Sequence, residues 1–345
     1  MKKQIYDYTL KQLQDEMLLL NEKKFRATQI YEWLYQHCVE SFDEMTNLSL
    51  STRNHLIENF EIPSLKVREK QVANDGTTKY LFELADGGLI ETVLMRFNYG
   101  NSVCVTSQLG CNMGCAFCAS GLLKKQRNLQ ASEMVAQVMY VHRDLLKQGQ
   151  RVSHIVVMGT GEPFDNYEQV DAFVHVLNDP KGLAIGARHM TISTCGLVPK
   201  IDLYSDNGLQ TNLAISLHAP SDEVRNQLMP INKVYPMDVL RESIKRYIDK
   251  TNRRVTFEYI LLDGVNDSLV QARQLAHYVR GLNCYINLIP YNSVDEHGFK
   301  KSNPTQVQAF HEELLRLKIN ATLRKEHGGD IDAACGQLRA KKMKK

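Results

Sequence analysis

The sequence has no apolar run that approaches the roughly 18 residues needed to cross a membrane, and residues 1–7 lack the apolar core of a secretory signal. Eight cysteines are few for a chain of 345 residues, which argues against a disulfide-dense secreted scaffold. Internal repeats and low-complexity segments are missing as well. We therefore expect a globular protein of the reducing cytoplasm with no membrane partner.

An excess of charge of one sign is also missing, because the formal net charge is only +3. The total charge therefore does not identify a nucleic-acid partner, but basic side chains are concentrated at three places. These are Lys124, Lys125 and Arg127, the pair Arg253 and Arg254, and the C-terminal residues 339–345. Such clusters can bind phosphate backbones or can be ordinary solvated surface, and charge alone leaves both interpretations open.

Three of the eight cysteines lie in one short loop, at Cys111, Cys115 and Cys118, with the spacing C-x3-C-x2-C. A structural zinc site needs four ligands, usually as two pairs, so a distant His or Cys would have to complete it. A [4Fe-4S] cluster is normally bound by four thiolates, so three thiolates suit a cluster whose fourth iron is left for a substrate or cofactor. The loop resembles that of the radical S-adenosylmethionine (SAM) enzymes, which share this spacing.

The order of predicted elements divides the chain into four parts. Residues 1–62 form a small helical domain, 63–101 a β-hairpin with a turn at Asp86-Gly87-Gly88, 102–326 an alternation of strands and helices, and 327–345 a tail. Strands are expected at 103–107, 154–158, 190–193, 212–217, 255–262 and 285–291. Six βα units predict an α/β fold with a parallel sheet wrapped by helices, but periodicity does not separate a partial barrel from a doubly wound sheet.

The helical domain carries a mixture of basic and aromatic residues. An RNA-facing surface and the charged exterior of a helical bundle both fit this composition. The residues concerned are Lys23, Lys24, Phe25, Arg26, Tyr31 and Tyr35. Helical spacing predicts a different set, comprising Phe25, Ile30, Trp33, Leu34 and His37, near one face of the same helix.

Glycines and polar residues follow several of the predicted strands. Ligand sites in parallel sheets and barrels collect at the carboxyl ends of strands, so the cysteine loop and these residues are expected to meet. The candidates are Gly161, Glu162, Ser193, Ser216, Leu217, His218 and Asn292. A cofactor with an amino acid group, a ribose and an adenine could use such groups, with Glu162 binding an ammonium or amine.

Three further residues are candidates for chemistry outside the cysteine loop. Cys335 lies in a polar, glycine-flanked segment near the end of the chain, and Cys104 precedes the cysteine loop on the first predicted core strand. Two thiols outside the loop could perform nucleophilic and disulfide chemistry. Glu91 lies in a predicted strand, where a glutamate normally faces solvent. The remaining cysteines, Cys38, Cys195 and Cys284, are interpreted as structural.

Several sequence strings together are similar to the RlmN/Cfr family of radical SAM RNA methyltransferases, over essentially the whole chain. They are the cysteine loop, residues 159–163 (Gly-Thr-Gly-Glu-Pro), Ser193-Thr194, residues 214–220 (Ala-Ile-Ser-Leu-His-Ala-Pro), residues 228–232 (Leu-Met-Pro-Ile-Asn) and residues 330–338 (Asp-Ile-Asp-Ala-Ala-Cys-Gly-Gln-Leu). The last string is the most specific of these. The chain departs from common family residues at Thr160 and Cys195.

The resemblance implies a partial (βα)6 radical SAM barrel with a small N-terminal helical domain and a β-hairpin extension. It implies that Cys111, Cys115 and Cys118 bind one [4Fe-4S] cluster and that the strand-end residues named above line the SAM site. Cys335 would carry a methyl group, Cys104 would release the product by forming a disulfide with Cys335, and Glu91 would accept a proton. The implied partners are 23S rRNA, tRNA and an electron donor such as flavodoxin, with the chain acting as a monomer.

Two alternatives stay open from the sequence. Within the family, the modified atom is carbon 2 or carbon 8 of an rRNA adenine, and Pro163 favours carbon 2 because carbon-8 enzymes often have Ala there. The other alternative is a non-enzymatic RNA-binding protein with a structural zinc, which predicts a colourless protein that contains zinc and no iron.

Overall fold

The computed structural model describes residues 2–122, 124–206, 208–292, 298–325 and 327–331. Across these ranges, no helix combines the length and the apolarity that a membrane crossing requires. Cys335 and the basic residues 339–345 lie outside the described residues, so the predictions made for them are not addressed by the structure.

The N-terminal part is a small helical domain. Its elements are β1 (Lys3–Gln4), α1 (Leu10–Leu19), α2 (Lys24–Tyr35), α3 (Leu50–Asn59) and β2 (Phe60–Glu61), and β1 pairs with β2 in parallel. Helix α1 begins with a capping box, in which Thr9 and Gln12 satisfy each other's backbone N–H groups. The Ser49 side chain caps α3 in a similar way, by accepting from the backbone N–H of Thr52.

The buried face of α2 differs from the one predicted. Ile30 and Leu34 are buried as expected, but Phe25 is 51% exposed, and Tyr31 and Tyr35 are buried with their rings 4.5 Å apart. Neither tyrosine can therefore belong to an exposed RNA-facing surface.

A three-stranded antiparallel extension follows, formed by β3 (Lys66–Val72), β4 (Thr78–Glu83) and β5 (Leu89–Phe97). The hairpin predicted around Asp86-Gly87-Gly88 is present: Glu83 pairs with Leu89, and Gly87 has φ +83°, a conformation that glycine adopts without steric cost. Strand β3 adds a third strand to the predicted hairpin by pairing with β4.

The core contains six βα units and a last strand. In chain order its elements are β6 (Gly100–Cys104), β7 (Gln108–Leu109), β8 (Arg127–Asn128), α4 (Ala131–Leu146), β9 (Val152–Val157), α5 (Tyr167–Asn178), β10 (Met190–Thr194), α6 (Val198–Tyr204), β11 (Asn212–Ser216), α7 (Asp222–Leu228), α8 (Met237–Thr251), β12 (Val255–Leu261), α9 (Leu269–Val279), β13 (Cys284–Pro290), α10 (Pro304–Arg316) and β14 (Ala321–Leu323). Short 3₁₀ turns occupy Ile5–Asp7, Phe42–Glu44, Ala119–Leu122, Pro163–Asn166, Ala187–His189 and Pro230–Lys233.

The extension and the core share one ten-stranded sheet. Its strand order is β14-β13-β12-β11-β10-β9-β6-β5-β4-β3, in which β6 and β9–β14 are parallel and β3–β6 antiparallel. The α/β architecture, with a parallel core sheet and helices between its strands, agrees with the fold class that the sequence predicted. The two edges of the sheet, β14 and β3, come from opposite ends of the chain.

The N-terminal domain and the core share one hydrophobic cluster. Helix α4 lies at their junction, where the backbone N–H of Ser132 donates to the Asp7 carboxylate over 2.7 Å. Buried side chains of α2, such as Ile30 and Leu34, belong to the same cluster as those of α4 and α5. Deleting the N-terminal domain would therefore expose apolar surface of the core, so point variants are the better way to test its role.

Candidate functional site

One cavity lies at the carboxyl ends of the parallel strands. Its lining includes residues of the cysteine loop, of the turns after β9, β10, β11 and β13, and of the hairpin extension. The predicted site residues among them are Cys111, Cys115, Cys118, Gly161, Glu162, Ser193, Ser216, His218 and Asn292. The structure therefore brings together nine of the candidates that were scattered over about 180 positions of the sequence, a convergence expected for the carboxyl edge of such a sheet.

The cysteine loop starts directly after β7, and hydrogen bonds connect it to other parts of the core. The backbone N–H of Ala116 donates to the carbonyl of Leu228 over 2.9 Å, and the Tyr291 hydroxyl donates to the carbonyl of Phe117 over 3.4 Å. These contacts present Cys111, Cys115 and Cys118 to the cavity from one side.

The three thiols are the type and number of ligand that a [4Fe-4S] cluster with one free iron would use. They lie close enough together to influence one another electrostatically, and burial raises the pKa of Cys111 to about 11 and that of Cys115 further. Within the described ranges, no three His, Cys, Asp or Glu side chains converge as ligands of one metal ion. A [4Fe-4S] cluster makes no such demand, because each thiolate binds a different iron, and its irons stabilise thiolates that burial alone disfavours.

The turn after β9 contributes a glycine that lies tightly against neighbouring side chains and a buried carboxylate. Gly161 has φ +115°, and a Cβ there would lie 2.7 Å from Cβ of Gln108, so only glycine fits. Glu162 accepts from the backbone N–H of Phe164 over 2.9 Å and from that of Cys195 over 2.8 Å. Burial raises the pKa of Glu162, and its fixed carboxylate at the cavity wall suits an ammonium group.

Strands β10 and β11 add hydroxyls and a neutral imidazole. The Ser193 and Ser216 hydroxyl oxygens lie 3.3 Å apart. The Nδ1 atom of His218 accepts from the backbone N–H of Ile260 over 3.1 Å, and burial lowers the pKa of His218 to about 3, so the ring is uncharged. Leu217 is fully buried away from the cavity lining, so any contact it makes there would come from its backbone.

Arg225 supports these strand ends, and sequence reasoning missed it. Its guanidinium is fully buried and donates to the carbonyls of Cys195 (2.7 Å) and Leu217 (3.2 Å) and to Oδ1 of Asn232 (2.9 Å). A lone arginine on a short amphipathic helix is usually a surface residue, so nothing in the sequence marked it out. Its partner Asn232 belongs to the string 228–232 on which the family resemblance partly rests.

Replacing Arg225 with Lys should weaken SAM binding at least about tenfold and lower the stability by about 2–3 kcal/mol, because the carbonyls of two strand ends lose their donors. SAM titration by calorimetry and urea denaturation measure the two effects. Arg241→Lys, which alters an arginine on α8 that donates to the carbonyls of Tyr278 and Arg280, is the matched control. Equal SAM affinity in wild type and Arg225→Lys would remove Arg225 from the support of the site.

Cys104 and Glu91 lie on the cavity side of the sheet, on neighbouring strands. Cys104 on β6 pairs with Val93 on β5 and packs with Val93 and Met95, both of which line the cavity. Glu91 precedes Val93 by two residues, so the alternation of a strand places it on the same face. Both residues are buried, at 8% and 4% exposure, so Glu91 does not face solvent as a strand glutamate normally does.

Glu91 forms a buried ion pair that the sequence did not predict. Nζ of Lys79 lies 2.9 Å from Oε2 of Glu91, and their side chains are 0% and 4% exposed. Removing two charges from water costs several kcal/mol, and mutual attraction offsets that cost only when both partners are present. The ion pair with Lys79 thus holds the carboxylate of Glu91 in place at the face that carries Cys104.

Other cavity residues were not among the candidates. Glu258 on β12 is buried and accepts from Nδ2 of Asn287 over 2.8 Å, and burial raises its pKa. Cys195, interpreted as structural, also lines the cavity, as do Arg324, Lys325 and His327. The local sequence around these residues does not indicate that they line the cavity.

Two of the basic residues after the cysteine loop have structural partners. Nζ of Lys125 lies 2.7 Å from the Asp165 carboxylate, and Arg127 pairs with Asp86 and Glu133, each over 2.7 Å. These contacts favour a structural role for the two side chains over an RNA-binding one.

Two protein-family models match the chain. The model of the radical SAM superfamily matches residues 105–276, and the model of the ribosomal RNA large subunit methyltransferase N-terminal domain matches residues 3–62. Together they cover the helical domain and most of the strand–helix core.

Named relatives are similar over the full chain. A protein of Spiroplasma citri described as a probable dual-specificity RNA methyltransferase RlmN is 57% identical, with 98% of this chain and 97% of the relative covered. One of Enterococcus faecalis with the same description is 58% identical over 100% and 98%. The crystal structure of a radical SAM methyltransferase from Sphaerobacter thermophilus superposes with a TM-score of 0.94 at 43% identity, covering 98% of this chain and 99% of that one.

Proposed function

Because the chain belongs to the RlmN family of dual-specificity radical SAM RNA methyltransferases, we propose that it methylates carbon 2 of adenine in 23S rRNA and in tRNA. The observation that carries the proposal is the common cavity: the three-cysteine loop and the polar strand ends line it, and Cys104 and Glu91 lie on its sheet face. We further propose that the chain acts as a cytoplasmic monomer and receives electrons from a small redox protein such as flavodoxin.

The target atom explains why such a site is needed. Carbon 2 of adenine is electron-poor and carries no acidic proton at neutral pH, so it does not attack the methyl group of SAM as a nitrogen or oxygen would. Cys111, Cys115 and Cys118 would hold a [4Fe-4S] cluster, which would supply the electron for the reductive cleavage of SAM to methionine and a 5′-deoxyadenosyl radical.

The residues that surround the cluster would bind and orient SAM. Glu162 offers a fixed carboxylate to the amino group of the methionine part, and Gly161 allows that part to approach the backbone. Ser193, Ser216 and the neutral His218 offer hydrogen-bonding groups to the ribose and adenine, and Asn292 lies at the rim of the same cavity.

The residues outside the cluster loop would carry the methyl group and release the product. In this proposal Cys335 receives a methyl group from one SAM, and the 5′-deoxyadenosyl radical from a second SAM takes one hydrogen atom from that methyl group. The remaining methylene carbon, still bonded to the sulfur of Cys335, then bonds to carbon 2 of the adenine. Glu91 accepts the proton that leaves the ring carbon. The Cys104 thiolate then attacks the sulfur of Cys335, which breaks the carbon–sulfur bond and leaves a Cys104–Cys335 disulfide. The released methylene carbon takes up a proton to become the methyl group, and the one electron left from the radical addition passes back to the redox partner. Cys104 and Glu91 share one sheet face, as this sequence of steps requires.

Replacing Cys115 with Ala should abolish both the brown colour of the anaerobically purified protein and the formation of 5′-deoxyadenosine from SAM. The reason is that two thiolates cannot retain the cluster in the geometry that leaves one iron for SAM. Iron content, the visible spectrum and chromatography of 5′-deoxyadenosine are the measurements. Cys284→Ala, which alters a cysteine on β13 outside the cavity lining, is the control. A Cys115→Ala protein with full iron content and full SAM cleavage would contradict the ligand assignment.

A further inference from the structure

The chain that follows β14 contacts the hairpin extension. Strand β14 is one edge of the sheet and β3 is the other. Residues 324, 325 and 327–331, here called the return segment, leave β14 and contact the turn between β3 and β4, about 250 positions earlier in the sequence. The return segment thus connects β14, at one edge of the sheet, with the β3–β4 turn next to the other edge strand.

Four contacts define this junction. The carboxylate of Asp75 accepts from the backbone N–H of Gly328 over 3.0 Å and lies 3.4 Å from Nδ1 of His327. From the other side, the Asp330 carboxylate accepts from the backbone N–H of Asn74 over 3.0 Å. The His327 ring also packs edge-on against the ring of Phe97, with centroids 4.8 Å apart.

The turn that receives the return segment is fixed by its own contacts. The second carboxylate oxygen of Asp75 accepts from the backbone N–H of Thr77 over 2.9 Å, which aims the first at Gly328. Gly76 has φ +80°, and a Cβ there would lie 3.0 Å from Cδ of Arg96. Nε of Arg96 in turn donates to the carbonyl of Gly76 over 3.3 Å. Asp75 is therefore presented by a prearranged backbone and not by a free loop.

The junction forms one wall of the cavity. Arg324, Lys325 and His327 line it from the return segment, while Thr77 and Met95 line it from the extension. Nη2 of Arg324 also lies 3.7 Å from the sulfur of Met95. Cys335 follows Asp330 by five positions, which is at most about 18 Å of extended chain. The position of the junction therefore limits where the Cys335 thiol can go.

We propose that the turn formed by residues 74–77 anchors the return segment, and that Asp75 is a positioning residue that keeps Cys335 within reach of Cys104 and the cluster loop. This inference rests on the proposed role of Cys335 as methyl carrier. An anchored short tether raises the effective concentration of the thiol at the cavity, whereas a tail attached only at β14 would explore a much larger volume. Charge-assisted hydrogen bonds to backbone N–H groups suit this purpose, because they fix geometry as well as proximity.

The test compares Asp75→Ala with wild type in the anaerobically reconstituted holoenzyme. Hydrogen exchange in the peptide that contains Gly328 and disulfide formation between Cys104 and Cys335 by oxidised glutathione report on the anchor. In the latter reaction two thiols lose two electrons and two protons to glutathione. We expect exchange to become about tenfold faster and the disulfide to form about tenfold more slowly, because a charge-assisted contact and the proximity it provides are lost.

The ratio of 5′-deoxyadenosine to methylated adenine adds a functional measurement. It should rise several-fold in Asp75→Ala, since SAM is still cleaved while the methyl carrier is less often in place. Glu83→Ala is the matched control, because Glu83 is a carboxylate of the same extension whose partners, Lys66 and Arg68, lie on β3. It should behave as wild type in all three measurements.

Unchanged exchange, disulfide rate and product ratio in Asp75→Ala would overturn the proposal. If Asp75→Ala does not fold, Asp330→Ala removes the Asn74 contact from the other side and must show the same three changes. The proposed function can fail separately: a wild-type enzyme that methylates no RNA would refute it, while exchange at Gly328 would still show whether Asp75 anchors the return segment.

Discussion

Cells that express the Cys104→Ala variant are expected to accumulate protein covalently joined to RNA. The variant retains Cys335, so the methylene carbon can still bond to adenine, but it lacks the thiolate that would attack the sulfur of Cys335 and free the product. The measurement is a denaturing gel of purified protein before and after ribonuclease treatment. A slowly migrating species that ribonuclease converts to the unmodified size is the predicted result.

Two variants serve as controls for this experiment. The double variant Cys104→Ala/Cys335→Ala should give no RNA-linked species, because it has no methyl carrier. Cys284→Ala should behave as wild type. If Cys104→Ala formed no RNA-linked species and still produced methylated RNA, Cys104 would be only a buried residue of the small apolar cluster that it forms with Val93 and Met95.

Replacing Lys79 with Met should lower the free energy of unfolding by about 3–5 kcal/mol, which is the usual cost of leaving one member of a buried ion pair without its partner. Lys79 and Glu91 are both buried, so water does not replace the ammonium group that the substitution removes. Urea denaturation measures the loss. RNA methylation should fall as well, because Glu91 would lose the ammonium group that stabilises and orients it.

Lys70→Met is the matched control. Lys70 lies on β3 of the same extension and forms an ion pair of similar length (2.8 Å) with Asp144 of α4, but its side chain is 41% exposed. Its loss should cost less than about 1 kcal/mol. The double variant Lys79→Met/Glu91→Gln should recover part of the stability but none of the methylation. If Lys79→Met were no less stable than Lys70→Met, the carboxylate of Glu91 would not depend on Lys79.

Features encoded by neighbouring residues could be predicted from the sequence. The cysteine loop and the hairpin turn at Gly87 both depend on short-range spacing. Most core strands lie within two residues of their predicted bounds. The strand predicted at 103–107 instead spans Gly100–Cys104, because the chain leaves the sheet early to form the approach to the cysteine loop.

Features that depend on tertiary contacts could not be predicted. Lys79, Glu91 and Arg225 are of residue types that usually lie at the surface. They are buried here because elements distant in the sequence pack around them. Tyr31 and Tyr35 were candidates for contact with RNA. They are buried by side chains from other parts of the N-terminal domain and from the core, and the local sequence carries no sign of those contacts. Asp75 reads as an ordinary turn residue, and its partners lie about 250 positions away.

Mass spectrometry of nucleosides from 23S rRNA and tRNA gives the most direct test of the proposed function. RNA would be isolated from cells that lack the gene, from the same cells carrying the wild-type gene, and from cells carrying the Cys335→Ala variant. We predict 2-methyladenosine only with the wild-type gene. The appearance of 8-methyladenosine in its place, or of 2-methyladenosine with the Cys335→Ala variant, would contradict the proposed reaction.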